Sequence, residues 1–365
     1  MDHTHYMRIA LELAEKGTGF THPNPLVGAL IVKNGTIIAQ GYHAEYGGPH
    51  AEIDAFNNAT ESVKDATMYV TLEPCSHYGK TPPCADAIIA KGIKKVIIAS
   101  KDPNPLVSGN GITKLEKAGI TVETGILDDE NQTLNAVFFH YIKHKTPYVM
   151  LKTAMSADGK IATKSHDSKW ISNEKSRKFV HELRHAVQAI MVGAGTIIHD
   201  NPRLTTRLDK KRLSHPIRII VDTEGVMPIE SNVLNLDVGK TLVVTTNLAP
   251  EDKVTAFKEK GADVIFVNHN DGDIDLVALM KILAQRQIDS ILLEGGATLN
   301  DAAIRNGIVN RVYSFIAPLI IGGRDALSPV GGEGFLTIKE AAKLRRIDLL
   351  TFDDDVLVVY EMRDG

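Results

Sequence analysis

The sequence predicts two consecutive α/β domains, and three observations carry that reading. The chain has 365 residues, about twice the usual size of one domain, so each half can bury its own core. In both halves short apolar runs alternate with segments of helical spacing, the pattern of strands and helices packed in layers. That rhythm breaks at Lys143-His144-Lys145-Thr146-Pro147, where charges and a proline interrupt it, which sets the expected domains at 1–145 and 146–365.

Each element follows from local signals. Met7, Ala10, Leu11 and Ala14 recur at helical spacing over residues 6–16, and Gly17 stands where that helix would stop. The runs Val27–Val32 and Thr36–Ala39 meet across Asn34-Gly35, the strongest short signal for a hairpin. A helix at His50–Asn58, a strand at Met68–Leu72, a helix at Cys84–Lys91 closed by Gly92 and a strand at Val96–Ala99 come next. With a helix near Ile112–Ala118 and a strand at Ile120–Val122 they make a three-layer domain, expected around a mainly parallel sheet. The second domain opens with Tyr148–Leu151. A helix at Asn173–His185 follows, then strands at Ala189–Val192, Arg218–Val221, Leu242–Thr245 and Val264–Val267. A helix at Leu276–Gln285, a strand at Ser290–Leu293, a helix from Ala297 and a strand at Val312–Ala317 complete the alternation.

Composition narrows the function. Forty-three per cent hydrophobic and 24% charged residues exclude a disordered or coiled-coil chain. A net charge of −4 and aromatics at 5% argue against long nucleic acid, whose backbone and bases need a cationic groove and stacking platforms. Met1-Asp2-His3-Thr4-His5 leads into no apolar stretch, and nowhere do about 18 apolar residues run together. A cytoplasmic protein without a membrane partner is expected. Cys75 and Cys84 cannot form a disulfide framework, and in a reducing compartment paired thiols serve metal binding or catalysis more often.

His50 opens a predicted helix, and Cys75 and Cys84 follow it by 25 and 34 positions. One imidazole and two thiolates make three ligands, which leaves the fourth position of Zn²⁺ to water, the catalytic pattern. Glu52, beside His50, is then the expected proton shuttle; this set of a histidine, two cysteines and a non-ligand glutamate is that of the zinc nucleobase deaminases. Cys84 follows Pro82-Pro83 at a helix start, where the dipole favours a thiolate. Taken singly, each cysteine could be a small buried hydrophobe and His50 a surface cap. The generic signature also spaces its cysteines by two residues, whereas eight intervene here, Ser76 to Pro83.

Longer motifs carry a family resemblance. Thr21-His22-Pro23-Asn24-Pro25-Leu26-Val27-Gly28, Gly47-Gly48-Pro49-His50-Ala51-Glu52, Thr71-Leu72-Glu73-Pro74-Cys75-Ser76-His77, Lys80-Thr81-Pro82-Pro83-Cys84 and Asp102-Pro103-Asn104-Pro105 resemble the deaminase half of the bifunctional riboflavin-biosynthesis deaminase/reductases. The long loop between cysteines belongs to that pattern. The resemblance implies a cytidine-deaminase-like domain and a diaminopyrimidinone substrate carrying a phosphoribosylamino group, with Asn24, His43, Lys80, Asp102 and Asn104 lining its pocket.

Pro147–Ala154, Ser156–Ala162, Lys169–Ser172, Val192–Thr196, Asp200–Arg207 and Leu293–Leu299 are similar to the reductase half of the same family. This implies a fold similar to dihydrofolate reductase and NADPH as cofactor. The residues agree in kind: Gly193-Ala194-Gly195-Thr196 and Glu294-Gly295-Gly296 each end an apolar strand, where backbone amides can approach a pyrophosphate. The three spaced glycines of a Rossmann fingerprint are absent from these loops. Arg184, Arg203 and Arg207 are candidates to grip a substrate phosphate. By family position Ser168, Arg184, Leu204, Arg207 and Glu294 are expected on substrate. Ala154, Trp170, Thr196, Asp200, Thr223, Gly296, Ala297, Thr298, Leu299, Asn300, Asp301 and Ala302 are expected on NADPH, with a core plug as the alternative for Trp170. Lys152 and Asp200 are candidate proton donors. The whole implies an enzyme that deaminates the pyrimidine and then reduces the ribosyl to a ribityl chain, acting as a homo-oligomer. The rival readings are a nucleic-acid base deaminase, against which the acidic charge speaks, and a non-catalytic metal and nucleotide sensor.

Overall fold

The computed structural model describes residues 2–76, 82–104, 108–165, 167–270 and 273–363, at Asn270 the backbone alone. The chain divides into two compact units, residues 1–145 and 146–365. Among the described residues no helix is long and apolar enough to cross a membrane.

The first unit is built on a five-stranded sheet of order β2-β1-β3-β4-β5. Its strands are β1 (Gly28–Lys33), β2 (Thr36–Tyr42), β3 (Thr67–Leu72), β4 (Lys95–Ser100) and β5 (Thr121–Thr124). Asn34 and Gly35 both take positive φ, 50° and 80°, as a tight turn between twisted strands requires. Alternation along β1 sorts the cores: Leu30 and Val32 pack with Met7, Ala10 and Leu13 of helix His3–Glu15, whereas Ile31 joins Val70, Ile88 and Leu115 on the opposite face. Helices thus cover both faces. The expected mainly parallel sheet is corrected to a mixed one: β1 runs antiparallel to both β2 and β3, and only β3-β4 and β4-β5 are parallel. The hairpin reverses β2, and the crossover through helix Ala51–Asn57 returns the chain as β3 on the far side of β1. That helix lies against β2 closely enough that a Cβ on Gly41 would sit 2.2 Å from the Ala55 nitrogen. Two helices that periodicity missed, Asp128–Leu134 and Ala136–His144, end the unit.

The second unit holds a nine-stranded sheet of order β10-β9-β8-β7-β13-β6-β14-β16-β15. In chain order these are β6 (Tyr148–Ser156), β7 (Ala189–Gly193), β8 (Ile217–Val221), β9 (Thr241–Thr245), β10 (Asp263–Phe266), β13 (Ser290–Leu293), β14 (Val309–Ala317), β15 (Leu344–Phe352) and β16 (Asp355–Met362). A small antiparallel pair, β11 (His269–Asn270) and β12 (Asp273–Ile274), lies between β10 and β13 in the chain. Every pairing from β10 to β14 is parallel. Strands buried on both faces read as continuous apolar runs, which is why sequence located them. The terminal hairpin of β15 and β16 was not foreseen. Most of β15 is exposed on both faces, so it carries no alternation to read. The helices Ala194–Asp200 and Glu251–Glu259 were likewise missed.

Candidate active sites

In the first unit two helix starts and the loop leaving β3 converge. His50 is the N-cap of helix Ala51–Asn57 yet makes no capping hydrogen bond, so its ring turns to the cysteines. Its Nδ1 lies 3.3 Å from Cys84 Sγ and 3.6 Å from Cys75 Sγ. The three donor atoms lie within 4.8 Å of one another, the only such group of three among the described residues. Cys75 ends the stretch leaving β3, and Cys84 begins helix Cys84–Ala90. The eight-residue excursion is closed by Cys84 N–H donating to Cys75 Sγ at 3.3 Å and Ala85 N–H donating to the Cys75 carbonyl at 3.1 Å. One nitrogen and two sulfurs at this spacing fit a tetrahedral zinc with its fourth position open.

The electrostatics suit cation binding. The hydrogen bond with Cys84 holds the Cys75 thiol down at about 4, with help from His50 and against burial. Cys84, sharing that bond and buried, is pushed up. Glu52, 4% exposed in the first helical turn, has its carboxyl raised by burial and by Cys75. A carboxyl lifted towards neutrality can both hold and release a proton.

His43 and Asn24 are brought to this cluster. The His43 ring meets His50 edge to face with centroids 5.7 Å apart. Burial lowers its pKa, against the pull of its bond to the Pro49 carbonyl. As a neutral ring His43 donates from Nδ1 to Pro49 at 2.9 Å, which leaves Nε2 to accept from the Asn24 amide at 3.2 Å and fixes which way that amide faces. Asp102 Oδ1 accepts from Asn104 N–H at 2.8 Å, and Asp102 N–H donates to Glu73 at 3.3 Å. Lys80 lies outside the described residues.

In the second unit two cavities, of about 430 and 440 Å³, open beside β7 and β13 and share Ile161, Ser168, Thr196, Asp200 and Gly296. The ends of adjacent parallel strands are where ligands bind in open α/β sheets. The first cavity gathers every expected substrate residue of this half: Ser168, Arg184, Leu204, Arg207 and Glu294. Ala154, Trp170 and Asn300 line it too. The second is lined by Thr223, Ala297, Thr298, Leu299 and Ala302 as well as the shared residues. Two helices start on it, with Gly193 and Gly296 as N-caps that make no side-chain capping bond, so their first amides are left for a ligand.

Two expectations gain structural detail and one alternative is set aside. Arg184 was expected to grip phosphate, but its Nε and Nη2 donate to the two oxygens of Glu294 at 2.6 and 3.0 Å, and Nη1 donates to the Thr205 carbonyl at 3.2 Å. Its partner lies 110 positions away, beyond any local reading. Burial would raise the Glu294 carboxyl, yet Arg184, with Lys152 at 3.5 Å, holds it at about 2. Asp301 lines neither cavity; its carboxylate takes Arg305 Nε at 2.9 Å, one helical turn on. Trp170 is no core plug. It is 67% exposed, with the Arg177 guanidinium 4.7 Å from its ring centroid.

Arg203 and Arg207 are exposed at the first cavity and form no ion pair among the described residues. Leu204 is 3% exposed and packs with Ile190, Val192 and Ile197, so it is the backbone of Leu204, at φ 52°, that shapes the loop. Sequence reasoning missed His181, whose Nδ1 accepts the Arg207 N–H at 3.3 Å. Its spacing to Arg177 and Arg184 on helix Glu174–Ala186 marks one face, and all three line the cavity. Asp200 lies 4.0 Å from Lys169.

These sites define a zinc-deaminase-like unit joined to a reductase-like one, and comparison with known proteins gives the family. Residues 147–358 match the RibD C-terminal domain, and residues 1–100 match the cytidine and deoxycytidylate deaminase zinc-binding region. The riboflavin biosynthesis protein RibD of Actinobacillus pleuropneumoniae is 46% identical, the match covering 97% of this chain and 94% of that one. Its counterpart from Aquifex aeolicus is 42% identical, covering 98% and 97%. Among solved structures, Acinetobacter baumannii RibD superposes with a TM-score of 0.89 at 34% identity, and 99% of each chain is covered. A Thermotoga maritima diaminohydroxyphosphoribosylaminopyrimidine deaminase/5-amino-6-(5-phosphoribosylamino)uracil reductase gives 0.87 at 38%, with the same coverage.

The chain belongs to the RibD family. It is a bifunctional deaminase/reductase of riboflavin biosynthesis, with a cytidine-deaminase-like unit of the zinc-binding class and a dihydrofolate-reductase-like unit.

Proposed function

We propose that residues 1–145 deaminate 2,5-diamino-6-(5-phosphoribosylamino)pyrimidin-4-one and that residues 146–365 reduce the ribosyl chain of the product, 5-amino-6-(5-phosphoribosylamino)uracil, with NADPH. The observation that carries the reading is the convergence of His50, Cys75 and Cys84 within 4.8 Å, next to a buried glutamate. These three side chains would hold zinc, which when bound makes a water nucleophilic near neutral pH. Glu52 would carry two protons in turn: one from the attacking water to the ring nitrogen as oxygen adds to C2, and a second from the new C2 hydroxyl to the amine, so that the C2–N bond breaks, ammonia leaves and a C2 carbonyl remains. Asn24, His43, Lys80, Asp102 and Asn104 hold the pyrimidine and its phosphate.

In the second unit Thr196, Asp200, Thr223, Gly296–Leu299 and Ala302, with Ala154, Trp170 and Asn300 from the adjoining cavity, would hold NADPH, which when bound supplies a hydride to C1′ of the ribosylamine. Two uncapped helix starts beside a cavity of about 440 Å³ support an anionic dinucleotide there. Arg203 and Arg207 take the substrate phosphate, while Glu294, fixed by Arg184 and Lys152, accepts hydrogen bonds from the substrate. Asp200 and Lys152 remain the candidate proton donors. We assign the enzyme to the cytoplasm and to a homo-oligomer. The outer edge of β15 supports the latter, since it pairs on one side only and exposes Leu344, Ile347 and Leu349 by 41%, 38% and 51%.

One preparation tests both halves. Stoichiometric zinc, ammonia release from the diaminopyrimidinone and substrate-dependent NADPH oxidation are the expected results. Zinc-free folded protein that gains no ammonia release on adding zinc would overturn the deaminase assignment, and sedimentation as a monomer would overturn the oligomer.

A further inference from the structure

We infer that Glu73 is a positioning residue of the deaminase site, whose carboxylate ties Asp102 and residues 109–112 to the stretch after β3 that carries Cys75. The inference rests on the proposal that Asp102 and Asn104 contact the substrate. Glu73 is 4% exposed and stands two residues before Cys75. Its Oε2 accepts the N–H groups of Asp102 at 3.3 Å and Gly109 at 3.0 Å. Its Oε1 accepts those of Gly111 at 3.0 Å and Ile112 at 3.3 Å. Among the described residues no basic side chain forms an ion pair with it. A buried carboxylate whose partners among the described residues are backbone amides is costly to keep unless those amides stay engaged, so it holds Asp102 and residues 109–112 in place.

The packing has the same design. A Cβ on Gly111 would lie 2.1 Å from the Pro74 carbonyl oxygen and 3.2 Å from Glu73 Oε1, so the segment meets residues 73–74 backbone to backbone. Glu73 N–H donates to the Ser100 carbonyl at 3.0 Å, which fixes the acid to the end of β4 as well. Asp102 hangs from Glu73 by its own N–H and orients Asn104 by accepting the Asn104 N–H. One side chain therefore links the metal-ligand strand to the residues proposed to read the pyrimidine. A glutamine cannot replace it: its single acceptor oxygen serves one side, and its amide N–H₂ turns towards donors on the other.

The test is Glu73→Gln in the full-length zinc-loaded enzyme. Expected are unchanged zinc content, ammonia-release kcat within about threefold of the parent, a KM for the diaminopyrimidinone raised about tenfold or more, and an untouched reductase; misplacing positioning groups by fractions of an ångström produces losses of this order. Amide hydrogen exchange should show lost protection at Gly109, Gly111 and Ile112 with β3 still protected. Parent-like KM and parent-like protection would overturn the inference. If Glu73→Gln loses zinc, Glu73→Asp, which keeps the charge, decides the matter: zinc retained with raised KM upholds the role, whereas joint loss of zinc and kcat shows that Glu73 serves Cys75 and overturns it. Asp102→Ala and Asn104→Ala read the underlying proposal separately. If both leave KM unchanged, the pocket assignment fails, while the exchange result still reports whether Glu73 holds the segment.

Discussion

The two active units differ in how concentrated their chemistry is. In the first, three donor atoms, from two helix starts and the loop after β3, sit within 4.8 Å, and the acid beside them is buried. In the second, the working residues spread over two cavities of about 430 and 440 Å³, and several are half-exposed. Removing one member of a tight constellation should abolish its function, whereas removing one of many dispersed contacts should weaken it. The sharpest way to break that contrast is Glu52→Gln: zinc should remain while ammonia release falls by roughly 10²–10⁴-fold, the usual share of a positioned acid–base group. Cys84→Ser should lose zinc and deamination together. Both should leave NADPH oxidation with the reductase substrate unchanged, and zinc loss from Glu52→Gln would remove the shuttle role.

The next largest effect lies in the second unit, where one pair is as concentrated as anything in the first. Arg184 and Glu294 are mostly buried, their side chains 13% and 8% exposed. Arg184→Ala leaves a buried carboxylate with Lys152 as its remaining ion-pair partner among the described residues, and breaking such a pair costs about 3–5 kcal/mol. The thermal midpoint of the reductase unit should fall, and Arg184→Lys should not restore the two-pronged contact. Were Arg184 instead a phosphate clamp, its loss would raise KM with no change in stability. Arg207→Ala should do just that: it should raise the KM for phosphorylated substrate about tenfold or more, with the KM for NADPH nearly constant, since a charged hydrogen bond contributes about 1.5–3 kcal/mol. Equal rises in both values would argue against the phosphate role.

The same contrast explains what was legible in the sequence. His50, Glu52, Cys75 and Cys84 were found because the chemistry of a metal site needs rare residue types, and two thiols in 365 residues leave little choice. The parallel strands were found because burial on both faces leaves continuous apolar runs. The pairing of Arg184 with Glu294 was illegible because that partner is distant in sequence and close only through the β7-β13 neighbourhood. Glu73 carried no signal beyond its place in a motif, since its partners are backbone amides, which every residue but proline offers. β15 was invisible for the opposite reason to the core strands: a strand with neither face buried has no period to detect.

The smallest expected effect sharpens the comparison at a residue neither motif nor family pointed to. His181 lies between Arg184 and Arg207, and burial with those two cations lowers its pKa from 6.5 to about 4. Between these values the unfolded chain binds a proton that the folded chain refuses, so folded stability falls as pH drops from 6.5 towards 4 and falls no further on this account below 4. His181→Asn removes that titration while its Oδ1, placed as Nδ1 is, can still accept the Arg207 N–H. The thermal midpoint of the reductase unit should therefore depend less on pH in the variant than in the parent between pH 6.5 and 4, with the two nearly equal above pH 7. An identical slope would mean that the ring is solvated enough to titrate normally, and the first cavity would then be wetter and less constrained than its lining of buried carboxylate and paired guanidinium requires.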